Sequence, residues 1–273
     1  MVGDPAELTA RQIDLKQASP SRVYDYLIGG ACNFAVDREW ANEAIKRMPW
    51  IRAAARSNRA FLRRAVRLCA SHGVTQFLDL GSGIPSGQSV HEMARKIEPA
   101  SNVVYVDNEA VAVAHSQLTL DAVSGAGIIE ADLTDTDFVL RHPLTRSLLD
   151  FSRPVALLMT ASLYYIPDHD LVRRTVARYV DAVPSGSYLV LSHTTLGKSQ
   201  RDALELANVL EMTKSLTSAA TARTPAWIAA LFTGLEMLDP GLVYTSYWRP
   251  EGLRVLNQAP WHDSVLAAVA RKP

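Results

Sequence analysis

The 273-residue chain predicts a mixed α/β fold, a largely parallel sheet covered by helices on both faces and preceded by a helical segment. Three observations predict it. From Arg22 to Ser71 the apolar residues recur at spacings of three and four. After His72-Gly73 short β runs alternate with helical stretches, as in βαβ units. Two of those runs, Pro154-Val155-Ala156-Leu157-Leu158-Met159 and Tyr188-Leu189-Val190-Leu191, are apolar throughout, as strands buried on both faces are.

Taken in order, residues 1–20 read as a flexible arm, polar and carrying Asp4, Glu7 and Asp14, that ends in the turn signal Ala18-Ser19-Pro20-Ser21. Residues 21–72 form a helical lid segment, with Ile45, Met48, Ile51 and Ala55, then Phe61, Leu62, Ala65, Val66, Leu68 and Cys69, on its buried side. The core occupies 73–273, with strands expected over 76–80, 103–107, 127–130, 154–159 and 187–192. Two late runs, Leu235 to Tyr244 and Ser264 to Ala270, are expected to pair as a closing antiparallel hairpin, giving seven strands. The stretch from about Leu196 to Arg223 is an amphipathic insertion.

Composition removes several function classes. Lysine plus arginine equals aspartate plus glutamate at 28 each, so no global field recruits nucleic acid or an anionic membrane, and a small-molecule partner is the default. Cys32 and Cys69 show no metal or disulfide spacing, so no metal is expected. Neither an apolar leader nor a run of the ~18 apolar residues that span a bilayer is present, which points to a cytoplasmic location. Oligomeric state is not constrained.

The most informative stretch is Phe77-Leu78-Asp79-Leu80-Gly81-Ser82-Gly83, an apolar strand ending in Asp-x-Gly-x-Gly. Glycines there let the chain turn sharply and let a ligand approach the backbone. Asp107 closes the next strand, where a carboxylate accepts bonds from two ribose hydroxyls, and Asp132 follows the third, near an adenine edge. A dinucleotide site generally needs a third glycine, G-x-G-x-x-G, yet Ser86 stands at that position. An acidic Asp79 before the glycines also suits a cationic amino and sulfonium end better than a pyrophosphate. The pattern therefore favours S-adenosylmethionine over a nicotinamide dinucleotide.

These blocks resemble the class I S-adenosylmethionine-dependent methyltransferases, and within them the actinobacterial "S-adenosyl methyltransferase" family once classed as a domain of unknown function. The resemblance runs from about residue 20 to 273. It rests on the stretches Arg22 to Gly30, Asn33 to Arg38, Asn58 to Val66, Asp79 to Pro85, Val104 to Asn108, Ala131 to Leu133 and Gly186 to His193, and on Pro240-Gly241-Leu242 with Trp248-Arg249-Pro250. It implies a Rossmann-like seven-stranded sheet with an N-terminal helical lid over the cofactor. Two positions depart from the family pattern: Ala31-Cys32 stands where relatives carry Lys and an acidic residue, and Leu163-Tyr164 where relatives read Leu-His.

Within this frame Gly81 and Gly83 carry the methionine part of the cofactor, and Asp79 either holds its amino group or caps the turn. Asp107 takes the ribose and Asn108 borders the adenine; Asp132 either meets the adenine amino group or caps the next helix, with the Leu133 backbone facing the ring. Tyr24, Tyr26 and Phe34 either close over the sulfonium through their ring faces or pack within the lid. Arg22, Asp25, Asn33 and Arg59 are candidate lid hydrogen-bonders, Arg22 and Asn33 foremost. Thr160 and Ala161 meet the methionine end through backbone groups. Tyr164 and Cys32 are expected on opposite walls of the reacting end, and His193 is either a general base or a structural histidine. Three outcomes share this pocket: methyl transfer to a small-molecule acceptor, cyclisation or lysis of the cofactor with release of methylthioadenosine, or binding without turnover.

Overall fold

The structure, a computed structural model, describes residues 16–85, 89–196, 200–250 and 264–273. Most of the expected arm, residues 1–15, lies outside them. Three helices come first, α1 (Pro20–Ile28), α2 (Ala35–Arg47) and α3 (Ile51–Ser71). Ser19 caps α1, its Oγ accepting from the Arg22 amide at 3.3 Å, and Pro20 suits the first turn because its missing N–H would have no partner there. Asp37 in α2 then ties the helices together: Oδ2 accepts from Arg22 Nε at 2.9 Å and from the Phe34 amide at 2.8 Å, and Oδ1 from the Ser19 amide at 3.1 Å. In α3 the buried stripe is Ala54, Ala55, Asn58, Phe61, Leu62, Ala65, Val66 and Cys69, the three-and-four spacing read from the sequence.

Five parallel strands follow, each within two residues of its expected bounds: β1 (Gln76–Leu80), β2 (Asn102–Asp107), β3 (Ala126–Glu130), β4 (Ala156–Thr160) and β5 (Tyr188–Thr194). Helices α4 (Val90–Arg95), α5 (Ala110–Leu120), the pair α6 (Thr136–Arg141) and α7 (Pro143–Leu148), and α8 (His169–Ala182) connect them. After β5 come α9 (Gln200–Met212), α10 (Pro225–Ala230), and the short strands β6 (Glu236–Met237) and β7 (Val243–Tyr244) before β8 (Val265–Arg271). Seven strands run in the order β3-β2-β1-β4-β5-β8-β6, with β8 antiparallel to β5. The Leu235 to Tyr244 run does pair antiparallel with β8, as two fragments rather than one strand. Asp239-Pro240-Gly241 separates them, since proline lacks the ladder N–H and Gly241 turns at φ +81°.

Strand alternation sends Leu78, Leu80, Val104, Val106, Leu157 and Met159 to one core and Phe77, Val103, Tyr105, Ala156 and Leu158 to the other, where α3 packs. A separate helical cap sits over the carboxyl edge. Its apolar contacts join Ala44, Met48 and Ala54 of the lid to Leu206 and Val209 of α9. Trp50 Nε1 donates to Glu205 Oε2 at 3.1 Å and Trp40 Nε1 to Ser215 Oγ at 3.0 Å. The lid and the insertion are therefore one roof drawn from two distant stretches. The insertion leaves and rejoins the sheet at one place, a parallel bridge between Thr195 and Arg223. Among the described residues no helix is long and apolar enough to cross a membrane.

Candidate cofactor site

At the end of β1 the chain doubles back under the end of β2, the Gly81 and Ser82 amides donating to the Val106 carbonyl at 2.8 and 3.1 Å. Gly81 has φ +77°, and a Cβ there would lie 2.4 Å from Ser162 Cβ, so only glycine fits between the first and fourth strands. Gly83, at φ +66°, donates its amide to Asp107 Oδ2 at 2.7 Å, while Asp107 Oδ1 accepts from the Glu109 amide at 2.9 Å. Asp107 thus holds the glycine turn as well as facing the space in front of it.

That space is a cavity of about 480 Å³ at the carboxyl edge of the parallel strands, where open α/β sheets bind ligands and within the usual range for ligand pockets. Its floor carries Asp79, Gly81, Gly83, Asp107, Asn108, Asp132, Leu133, Thr160 and Ala161 of the expected set. Arg22, Tyr24, Arg59 and Tyr164 of that reading also line it. Asp132 Oδ1 is taken by the Thr134 amide and hydroxyl at 2.8 and 2.7 Å, a local turn, and Asp135 rather than Asp132 caps α6. Arg22 faces the cavity already paired with Asp37.

Five expected residues stand elsewhere. Tyr26 points away from the cavity, its hydroxyl donating to Asn42 Oδ1 at 3.1 Å and its ring under the Arg52 guanidinium at 4.7 Å. Asn33 binds Asp25 Oδ2 at 2.9 Å and the Gly30 carbonyl at 3.0 Å, pinning the turn after α1. Cys32 packs against Ile84, Val111 and Ala112, with Sγ 3.7 Å from His115 Nδ1, one layer outside the cavity and not opposite Tyr164. His193 is fully buried; its Nδ1 faces the Thr194 carbonyl at 2.7 Å and its Nε2 faces Arg223 Nη1 at 2.8 Å. Since a guanidinium only donates, Nε2 must accept and Nδ1 must carry the proton. Burial holds this histidine down at about 4, so it is neutral and has no site to lend as a base. Phe34 is partly exposed, at 38%, with the Arg22 guanidinium 5.3 Å from its ring centre.

Several lining residues were not singled out from sequence. Glu109 accepts from Ser19 Oγ and lies 3.9 Å from Arg22, which latches the lid to the end of β2. Asn58 accepts from Ser192 Oγ at 2.6 Å and donates to the Tyr24 hydroxyl at 3.1 Å, which in turn donates to the Ala55 carbonyl at 2.9 Å. Ser192 Oγ receives the Ala161 amide at 3.0 Å. This holds Ala161 at φ +59°, a left-handed conformation that costs a non-glycine residue about 1 kcal/mol or more. A polar residue within the apolar stripe of α3 is the signal that marks Asn58.

Electrostatically the floor is acidic and poorly solvated. Burial pushes Asp79 up to about 7, with the Arg59 charge pulling it down and the Asp107 carboxylate pushing it up. Burial raises Asp107 and Glu109 too, against the backbone and hydroxyl donors that hold their charged forms. A bound cation would relieve this. The buried Ser82 and Ser162 hydroxyls, both on the cavity wall, have no partner among the described residues. Unsatisfied hydroxyls, spaced strand-end carboxylates and a glycine turn form a set that fits a nucleoside carrying a cationic chain.

Fold and site together define a class I methyltransferase-type, Rossmann-like protein. The chain belongs to the S-adenosyl methyltransferase family, whose sequence profile matches residues 6–273, and its cofactor is S-adenosylmethionine. It is similar to a Thermobifida fusca protein, provisionally named a methyltransferase, at 36% identity over 100% of this chain and 99% of that one, with TM-score 0.88. It is also similar to a DUF574 family protein from Streptomyces avermitilis, at 34% identity over 95% of this chain and 99% of that one, with TM-score 0.90. Among curated proteins no match was found.

Proposed function

We propose that this protein transfers the methyl group of S-adenosylmethionine to a small-molecule acceptor. The observation that carries this reading is the single cavity that gathers Asp79, Asp107 and Asp132 beneath a roof of α1 and α3. Asp79 would hold the amino group, Asp107 with Glu109 the ribose hydroxyls, and Asp132 with the Leu133 backbone the adenine edge. Ser162 and the strained Ala161 position the methionine end. When bound, the cofactor supplies a methyl group already activated by its sulfonium. The residues therefore need chiefly to align acceptor and methyl group and to exclude water, and the ring faces of Tyr24, Tyr164 and Tyr165 favour positive charge beside them. Both cysteines are free, in keeping with a cytoplasmic enzyme.

Cyclisation of the cofactor draws its support from Tyr164 standing where relatives read His, an aromatic wall in place of a base; Cys32, expected on the opposite wall, lies outside the cavity, which leaves cyclisation second to methyl transfer. The test is mass spectrometry of the purified protein incubated with S-adenosylmethionine, with and without a small-molecule extract. Acceptor-dependent S-adenosylhomocysteine is expected. Methylthioadenosine formed without any acceptor would replace this reading with cyclisation, and unchanged cofactor in every arm would leave binding alone.

A further inference from the structure

A second cavity, of about 110 Å³, adjoins the first beneath the cap. The two share Pro20, Tyr24, Asn58, Ala161, Tyr164 and Tyr165 as a common wall. The rest of its lining comes from the lid and from α9, chiefly Trp40, Met48, Ile51, Ala54, Leu206 and Val209. None of the described residues lining it is charged. Its polar groups are largely used: Thr213 Oγ1 donates to the Leu210 carbonyl at 2.6 Å, Thr194 Oγ1 to the Ser264 carbonyl at 3.3 Å, and Asn58 and Tyr24 bind each other.

We propose that this chamber receives the reacting end of the methyl acceptor, and that the acceptor is an uncharged molecule of about one six-membered ring whose attacking atom is a weakly basic aromatic nitrogen. The proposal rests on the methyl-transfer reading above. Continuity with the cofactor cavity through Ala161, Tyr164 and Tyr165 supplies the location. Volume sets an upper bound on size, since a dry apolar cavity of ~150 Å³ accepts benzene and this one, at about 110 Å³ and open to the cofactor cavity, admits no more than one such ring. An acceptor already charged inside the chamber is excluded because an ion buried without a counter-charge costs several kcal/mol, and none of the described residues lining it supplies one. The positive charge that the reaction creates forms at the opening shared with the acidic cofactor cavity.

The nucleophile follows from what the wall lacks. Among the described residues it carries no carboxylate, imidazole or thiol, and burial lifts the Tyr164 and Tyr165 phenols above their ordinary range, so neither takes a proton near neutrality. An acceptor that must first be deprotonated finds no base on this wall, and the carboxylates of the adjoining cavity, Asp79, Asp107, Glu109 and Asp132, are those assigned above to the cofactor. A neutral ring nitrogen needs none: its lone pair forms the N–C bond as the C–S bond breaks, that electron pair returns to sulfur, and the positive charge passes from sulfur to nitrogen. Tyr24, Tyr164 and Tyr165 belong to the wall shared by the two cavities, and an aromatic ring face favours positive charge.

The test uses the full chain loaded with S-adenosylhomocysteine and titrated with pyridine, benzoate and benzylamine, followed by ligand-observed NMR. Pyridine is expected to bind at least about tenfold more tightly than either charged ring. Ala54→Phe, and Ala220→Phe on the half-exposed loop at the chamber edge, should each abolish pyridine binding while leaving S-adenosylhomocysteine affinity within about twofold. Incubation with S-adenosylmethionine and pyridine should yield N-methylpyridinium in the wild type. Equal binding of benzoate, or undiminished pyridine binding in a folded chamber-filling variant, overturns the proposal. Failure of the wild type to bind S-adenosylhomocysteine would instead overturn the methyl-transfer reading, and pyridine binding lost on filling would still support the chamber.

Discussion

Ser192 donates its Oγ proton to Asn58 Oδ1 at 2.6 Å, joining the end of the fifth strand to the longest helix of the lid across 134 positions of sequence. The same hydroxyl anchors the strained Ala161, and the same Asn58 steadies Tyr24. Sheet edge, roof and aromatic wall are thus coupled through two side chains.

Asn58→Ala should break that coupling at both ends. It leaves the buried Ser192 hydroxyl without its acceptor and the Tyr24 hydroxyl without a donor, a cost of about 1–3 kcal/mol by urea denaturation. Cofactor affinity should fall as well, because Ala161 loses its restraint. Wild-type stability and affinity in this variant would reduce the chain of bonds to decoration.

Asp79 makes cofactor binding sensitive to pH. Its carboxyl sits at about 7 in the folded protein, so a ligand ammonium beside it must displace a proton at lower pH. Affinity should weaken as pH falls from 7, approaching about tenfold per unit. Calorimetry from pH 5.5 to 8 should show that slope in the wild type and a flat, weaker response in Asp79→Asn. An unchanged slope in Asp79→Asn would take this residue out of contact with the ligand.

The same residue should cost stability. A carboxyl raised from 3.8 to about 7 on folding is protonated in the native state where the unfolded chain has already released its proton. Stability from this group is therefore greatest below about pH 4 and is lost as pH rises through 7, by of order 4 kcal/mol for a shift of about three units. Asp79→Asn should accordingly raise the melting temperature of the cofactor-free protein at pH 8 and leave it little changed at pH 4.

Asp107→Ala should weaken cofactor binding by roughly 1.5–3 kcal/mol per lost charge-assisted bond, and should also loosen the glycine turn by freeing the Gly83 and Glu109 amides. Glu109→Gln should weaken binding less, since its amide oxygen still accepts from Ser19. Equal affinities for Asp107→Ala and wild type would remove the ribose role.

His193→Phe should act on stability alone. Arg223 Nη1 keeps the Leu163 carbonyl at 3.3 Å but loses a nitrogen acceptor, which costs about 1–3 kcal/mol in a chemical melt. Turnover per folded molecule and its pH profile should not move. A large fall in turnover with stability intact would restore this histidine as a base.

The strand-end residues were legible because parallel strands deliver all their carboxyl ends to one edge, so Asp79, Gly81, Asp107 and Asp132 come together from position alone. Roles on the lid were harder. Tyr24 and Tyr26 look alike in sequence, yet two residues of helix turn them about 200° apart, one into the cavity and one toward Arg52. Helical period could have separated them. Pairs such as Ser19 with Glu109, 90 positions apart, or Cys32 with His115, 83 apart, leave no mark on local pattern, since only the closed fold makes them neighbours. His193 was placed correctly at a strand end, but its faces are set by Arg223, which the insertion brings back from thirty positions away.

The bridge between Thr195 and Arg223 makes the roof's rear wall an excursion with a common gatepost. Everything that the α9 segment contributes to the smaller chamber lies inside that detour, whereas most of the cofactor floor lies outside it. Such a segment behaves as a cassette: its two ends already meet, so a foreign stretch of different length could be spliced there without shifting the sheet's register. Relatives that keep the nucleoside floor and exchange the detour would then differ in what they methylate and agree in how they hold the donor, and chimaeras cut at 195 and 223 are the natural route to altered acceptor choice.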